Sequence, residues 1–325
     1  MPFLRTHPSP SSSLSLAAVA LLTVVLTAQP VHARLQESQI DVPVEVVDGY
    51  GKRIAQPIRV TVWSDDANPT PAPVMVLGHG RSAQPEKRAG LGRARLSKES
   101  AFFVRRGFIV AVPTRVGYGV SGGEDIENSG PCQSKRYSPG YAAAAQQTLQ
   151  VLQVVRQRPD AAKDKAVVMG QSYGGATAIA VGALQPAGVQ AVINFAGGGG
   201  GNPETQPGRP CAPQQLEQMF ARYGATLRIP SLWVYTENDL YMGATHPREW
   251  FAAFRAAGGT GEFIQFPPHG EDGHMVFSRA PQLWQPRVAD FLDRNGFPAP
   301  APSARAPAAQ LQPEKTAPPQ DNGED

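Results

Sequence analysis

The stretch of this chain best equipped for chemistry is Gly170-Gln171-Ser172-Tyr173-Gly174. It stands between a short apolar run, Ala166-Val167-Val168-Met169, and a run of small residues, Gly175-Ala176-Thr177-Ala178-Ile179-Ala180. A G-x-S-x-G placed between a strand and a helix is a nucleophile elbow, a sharp turn that lifts the serine Oγ above the sheet at the start of a helix. Serine is a weak nucleophile at neutral pH and needs a base, usually a histidine oriented by a buried acid. In this arrangement the acid and then the histidine follow the serine along the chain. Glu237-Asn238-Asp239 follows the apolar run Ser231–Thr236, and Asp239 is preferred to Glu237 because it lies past the strand end, where the chain has turned. His274, behind the flexible Gly273 and ahead of Met275-Val276-Phe277, is preferred as base to His269 in the stiffer Pro267-Pro268-His269-Gly270. Acyl transfer also needs two N–H donors where negative charge develops. The backbone N–H of Tyr173 is the first. The second is expected from Gly78-His79-Gly80-Arg81, through the N–H of Arg81 or, failing that, Ser82; His79 is read as packing beneath this loop.

These residues need a scaffold, and the hydrophobic pattern predicts one. Ile40–Val47 and Pro57–Trp63 alternate like half-buried strands, and Val74–Leu77, Phe108–Val112, residues 166–169, Val189–Phe195 and Ser231–Thr236 are continuous apolar strands. Glu262–Phe266 is the last strand. Helices are predicted near Ala94–Arg106, after the elbow to about Leu184, near Gln214–Tyr223, Arg248–Ala257 and Leu283–Asn295. Tyr141, Ala145, Leu149, Leu152 and Val155 mark one face of another. Strands alternating with helices imply an α/β fold with a mostly parallel central sheet and helices on both faces. In such a sheet the site lies beyond the carboxyl ends of the strands. The long loops 114–140 and 197–214 are expected to wall the pocket, with Tyr118, Tyr173, Trp233 and Tyr241 as candidate wall residues.

Of the 325 residues, 1–33 read as a secretory signal: Arg5, an apolar run from about Leu14 to Leu26, then Val31-His32-Ala33 as a cleavage site. The apolar run is too short and interrupted to span a bilayer well, so no stable membrane span is expected once it is removed. Residues 298–325, rich in Ala, Pro, Gln and charge, read as a disordered tail. The catalytic domain is placed at 34–297. The chain is therefore expected to be exported, periplasmic or secreted. Its two cysteines, Cys132 and Cys211, sit in Pro/Gly-rich loops and are read as a disulfide joining them. The formal charge is +3, and the densest basic cluster, Lys87, Arg88, Arg93, Arg95 and Lys98, is read as a solvated surface or loop. No nucleic-acid partner is expected. Zinc, nucleotide and metal motifs are missing from the sequence, and no cofactor is expected.

Together, His79-Gly80, Arg115 with Gly117-Tyr118-Gly119 and Ser121, the elbow, Asp239 and Gly273-His274 resemble the dienelactone hydrolase and prolyl-oligopeptidase-like branches of the α/β-hydrolases over about residues 40–295. The resemblance implies an α/β-hydrolase fold and a Ser-His-Asp mechanism in which Ser172 attacks a carbonyl, His274 takes and returns the proton, and Asp239 orients the imidazole. Dienelactone hydrolases proper use a cysteine nucleophile, and the position here is Ser172. The stretch upstream is too short for the propeller that prolyl-oligopeptidase-like peptidases usually carry. The expectation is an exported serine hydrolase acting on a small carboxylic ester or lactone. A peptidase or amidase with the same three residues, and a silent hydrolase-like binding protein, are the alternatives.

Overall fold

The computed structural model describes residues 1–3 and 35–300. The expected signal, 1–33, lies outside them but for its first three residues, and the expected tail but for 298–300. Every described strand and helix lies within His32–Asp325. Eight strands form one sheet: β1 (Leu35–Val47), β2 (Arg53–Asp65), β3 (Ala72–Gly78), β4 (Ile109–Pro113), β5 (Ala161–Gln171), β6 (Val189–Phe195), β7 (Ser231–Thr236) and β8 (Glu262–Phe266). Their order is β1-β2-β4-β3-β5-β6-β7-β8. The β1–β2 and β2–β4 pairs are antiparallel and the others parallel.

The burial pattern follows from strand geometry. In β1, Val42, Val44 and Val46 are buried while Asp41, Pro43 and Glu45 between them are exposed, as expected of an edge strand with one wet face. In β4 and β7 every residue is buried because both faces are covered. Successive side chains of the inner strands point to opposite faces. Val74 and Val76 enter one core with Val168, Trp233 and Tyr235. Met75 and Leu77 enter the other with Val167, Met169 and Val234.

Among the described residues eight α-helices connect and cover the sheet: α1 (Pro85–Ala89), α2 (Ser97–Arg105), α3 (Tyr137–Val155), α4 (Tyr173–Ala183), α5 (Pro213–Gly224), α6 (His246–Ala256), α7 (Val276–Arg279) and α8 (Pro281–Arg294). Tyr141, Ala176, Phe220 and Trp250 place α3 to α6 on the first core. Phe103, Phe277 and Trp284 place α2, α7 and α8 on the second. The predicted α/β-hydrolase architecture is therefore the observed one.

Several boundaries differ: β1, β2 and β5 start at Leu35, Arg53 and Ala161, each four or five residues before the expected Ile40, Pro57 and Ala166. The α2 helix starts at Ser97, not Ala94, because Ala94 is tied to β2 and to the end of β4. Its N–H donates to Thr114 Oγ1 at 2.9 Å and its carbonyl accepts from Thr61 Oγ1 at 2.7 Å. Leu96 then turns through φ 44° before the helix begins.

Two features position the site. The β3-to-β4 connection runs one way along the sheet and the β5-to-β6 connection the other, which leaves a crevice at the carboxyl ends of β3 and β5. Gly78 at the end of β3 pairs with Gly170 at the end of β5, so the 79–82 loop and the elbow leave the sheet side by side. Farther out, Cys132 and Cys211 form a disulfide with 5.1 Å between Cα atoms, linking the loops as expected. The bridge closes a chain separation of 79 residues. The chain-entropy relation puts its stabilisation at about 4.5 kcal/mol, a loss that should lower the thermal midpoint by roughly 10 °C. Differential scanning calorimetry of the Cys132→Ser/Cys211→Ser variant checks this; an unchanged midpoint would show that other contacts already hold the two loops.

Candidate active site

Ser172 sits at the turn between β5 and α4 with φ 55° and ψ −120°. A non-glycine residue in that region carries local strain. The glycines around it are required by contact. A Cβ on Gly170 would meet the Gly174 backbone at 2.4 Å, and one on Gly174 would meet the Gly78 carbonyl at 2.4 Å. The Ser172 N–H donates to Phe195 O at 2.8 Å, which anchors the turn to β6.

His274 arrives on a short 3₁₀ turn, Gly273–Met275, after β8. Gly273 is needed there, because a Cβ would fall 1.8 Å from Thr236 Oγ1 at the end of β7. His274 Nδ1 lies 2.9 Å from Asp239 Oδ2, and both residues are buried. Asp239 Oδ1 accepts from the N–H groups of Tyr241 and Met242, each at 2.8 Å. With the carboxylate accepting on both oxygens, Nδ1–H is the donor in the His–Asp bond and Nε2 keeps its lone pair. Asp272 fastens the two loops by accepting from the N–H groups of both Leu240 and His274 at 2.9 Å. Tyr241 stacks on the imidazole with centroids 4.2 Å apart. The alternatives lie elsewhere: Glu237 faces Arg248 at 3.6 Å, and His269 is held through its backbone by Asn238.

Ser172 and His274 line one cavity of about 390 Å³, together with Gly80, Arg81 and Tyr241. A Cβ on Gly80 would lie 3.4 Å from Ser172 Cβ and 3.8 Å from its Oγ, so the 80–81 backbone passes directly beside the hydroxyl. A buried network fixes this loop. Arg115 donates from Nη1 to His79 O at 2.8 Å and from Nη2 to Gly80 O at 3.2 Å. Its Nε donates to Glu127 Oε1 at 2.5 Å, and Tyr118 OH donates to Glu127 Oε2 at 2.5 Å. Burial alone would lower the Arg115 pKa, but Glu127, with Tyr118 and Tyr173 beside it, more than offsets this and keeps the guanidinium ionised. With the carbonyls of residues 79 and 80 thus engaged, the chain enters Arg81 in a fixed orientation.

His79 belongs to this support, as expected. Arg115 N–H donates to its Nε2 at 3.4 Å, and its Nδ1 faces Gly80 O at 2.7 Å. Burial, and then the Arg115 charge, hold its pKa well below the usual histidine value, so the ring stays neutral.

Three pocket expectations need correction. The basic cluster is solvated only in part: Arg95 and Lys98 are exposed, while Lys87 and Arg93 are half-buried. Lys87, Arg88, Arg93, Arg95 and Lys98 all line the cavity that holds Ser172, and Arg88 is buried. The 114–140 loop contributes only Tyr118 to the cavity wall, and the 197–214 loop contributes nothing; segments 79–99 and 274–279 form it. Among the candidate aromatics Tyr118 and Tyr241 line the cavity. Trp233 is core, and the Tyr173 ring is buried against Tyr141 at 4.2 Å.

Asp272 and Glu127 went unnoticed in the sequence, as did the part Arg115 plays in holding the 79–80 carbonyls. Asp272, two residues before the histidine, offered the only local signal. Among the described residues no cluster of three His, Cys, Asp or Glu could hold a metal ion, and no helix is long and apolar enough to cross a membrane.

The family described as X-Pro dipeptidyl-peptidase (S15 family) matches residues 25–256, a span that includes Ser172 and Asp239 and ends before His274. No curated protein matches the chain in sequence. Among solved structures, an acylaminoacyl peptidase bound to Z-Gly-Gly-Phe-chloromethyl ketone is similar at TM-score 0.57 and 14% identity, covering 82% of this chain and 43% of that one. This chain thus spans less than half the length of that peptidase. An acetyl xylan esterase from Paenibacillus sp. R4 is similar at TM-score 0.54 and 17% identity, with 82% and 90% covered. The Pyrococcus furiosus esterase Pf2001 is similar at TM-score 0.50 and 14% identity, with 78% and 90% covered. At these identities the structural likeness establishes the shared fold.

Proposed function

The chain belongs to the X-Pro dipeptidyl-peptidase (S15) family of the α/β-hydrolase superfamily, and from that premise we propose an exported enzyme that cleaves small carboxylic esters through Ser172, His274 and Asp239. A serine hydrolase of esterase or peptidase type is what the family and the fold establish. The ester substrate, the three residues and export are our reading.

One observation carries it. Asp239 holds His274 by Nδ1, and the imidazole shares a cavity with the strained Ser172 at the crevice between β3 and β5. In the proposed reaction His274 Nε2 takes the Ser172 proton as Oγ bonds to the ester carbonyl carbon. The resulting oxyanion accepts hydrogen bonds from the Tyr173 and Arg81 N–H groups. The tetrahedral adduct then expels the alcohol, which leaves with the proton from the imidazolium. Water, activated by the same histidine, releases the acid and restores Ser172. Export rests on the 1–33 segment as a signal, and the Cys132–Cys211 disulfide fits an oxidising compartment. The catalytic domain is proposed to span 34–297, followed by the 298–325 tail.

The family's description favours a second reading, a peptidase acting on X-Pro substrates. Purified protein assayed on p-nitrophenyl butyrate and on Gly-Pro p-nitroanilide separates the two. The expected kcat/KM is about 10⁴ M⁻¹ s⁻¹ or more on the ester, the range of a dedicated enzyme, and at least a hundredfold lower on the anilide. An anilide value in the dedicated range would overturn the esterase assignment.

A further inference from the structure

The cavity that holds Ser172 carries far more positive charge than its surroundings neutralise. Seven of its lining side chains are Lys or Arg, and Glu99 is the one carboxylate among them. Three further carboxylates lie behind the wall, and each is shared by two cations: Glu127 lies 3.8 Å from Arg81 and also pairs with Arg115. Asp125 pairs with Arg81 at 2.7 Å and with Arg88 at 2.9 Å. Glu37 pairs with Arg93 and with Arg95, each at 2.5 Å. Lys98, on the first turn of α2, and Arg279, at the end of α7, have no carboxylate partner among the described residues. Lys98 and Arg279 stand 181 residues apart in the chain, yet both border the cavity that Ser172 and His274 line.

A field of one sign inside a cleft concentrates ligands of the opposite sign and repels those of its own. We propose that the pocket selects esters bearing an ionised carboxylate a few bonds from the scissile carbonyl, with Lys98 and Arg279 receiving that carboxylate. The inference deepens the esterase reading and rests on it for the identity of the reacting group. It also predicts that an X-Pro peptide fits poorly, because the free α-ammonium of an N-terminal dipeptide would enter a wall of cations with a single lining carboxylate to receive it.

Two matched pairs test the charge on either side of the ester. In 4-acetoxybenzoate and its methyl ester the charge differs on the alcohol side; in monomethyl and dimethyl glutarate it differs on the acyl side. Wild-type kcat/KM should favour the anionic member of at least one pair by about tenfold at low ionic strength, and 0.5 M NaCl should shrink that preference because added salt screens exposed charge. The Lys98→Ala/Arg279→Ala variant should bring the ratio close to one. Arg294→Gln should leave it as in the wild type, since Arg294 pairs with Glu262 at the amino end of β8, away from the cavity. Calorimetric binding of the same esters to Ser172→Ala reads the pocket without turnover. Tighter binding of the anions together with a wild-type protein that turns over no ester would uphold this inference and defeat the esterase reading. Equal or weaker binding of the anions, or a preference undiminished in the double variant, would overturn the inference and leave the esterase reading standing.

Discussion

Replacing Ser172 with Ala is expected to lower kcat on a small ester by about 10⁵-fold or more, the scale on which serine hydrolases lose rate with their nucleophile. Because the nucleophile and the base act as a unit, adding His274→Ala to Ser172→Ala should cost almost nothing further, although His274→Ala alone should cost nearly as much as the serine change. The backbone supplies an independent check on folding. Ser172 holds φ 55°, which alanine endures with the same strain and glycine adopts freely. Ser172→Gly should therefore be as inactive as Ser172→Ala yet more stable to urea by about 1 kcal/mol. Retention of more than a hundredth of the wild-type kcat in Ser172→Ala would move the nucleophile elsewhere.

Asp239→Asn should lower kcat by about 10⁴-fold while leaving the fold intact. The reason is tautomeric. The backbone N–H groups of Tyr241 and Met242 both point at Oδ1, so an asparagine there will keep its carbonyl oxygen on them. Its NH₂ group then faces His274 Nδ1, at the position where Oδ2 now stands 2.9 Å away. Two donors cannot share that contact, so the imidazole must shift its proton to Nε2 and lose the lone pair that would take the serine proton. Circular dichroism should be unchanged, and steady-state kinetics on p-nitrophenyl butyrate reads the loss. A fall of less than tenfold would mean that Asp239 only caps its own turn.

The parts of the proposed site that repeat a chain pattern stand out in the sequence. The elbow announces itself because strand, glycines and small-residue helix must coincide for the turn to close, and Gly170 and Gly174 are indeed in contact. Asp239 and Gly273-His274 were found by their place after β7 and β8, a rule of the parallel sheet rather than of any local motif. What the sequence left hidden was contact between distant segments. Nothing around Arg115 says that its guanidinium reaches back to the carbonyls of residues 79 and 80, or that Glu127 follows it into the interior. The basic cluster misled in part for the same reason. A run of Lys and Arg without apolar periodicity reads as solvated surface until the fold sets it over the crevice between β3 and β5. The 197–214 loop misled in the opposite direction: its glycines make room for Tyr137, Tyr141 and Tyr241, which pack closely around it, so that it supports the site from outside the cavity.

Ser172 as the nucleophile is the premise on which the proposed chemistry depends, and a fluorophosphonate reagent tests it directly. The folded wild-type protein should gain the mass of one adduct, mapped by peptide mass spectrometry to Ser172, and Ser172→Ala should gain none. A folded wild-type protein that takes up no label, or a variant labelled to the same extent, would contradict the account.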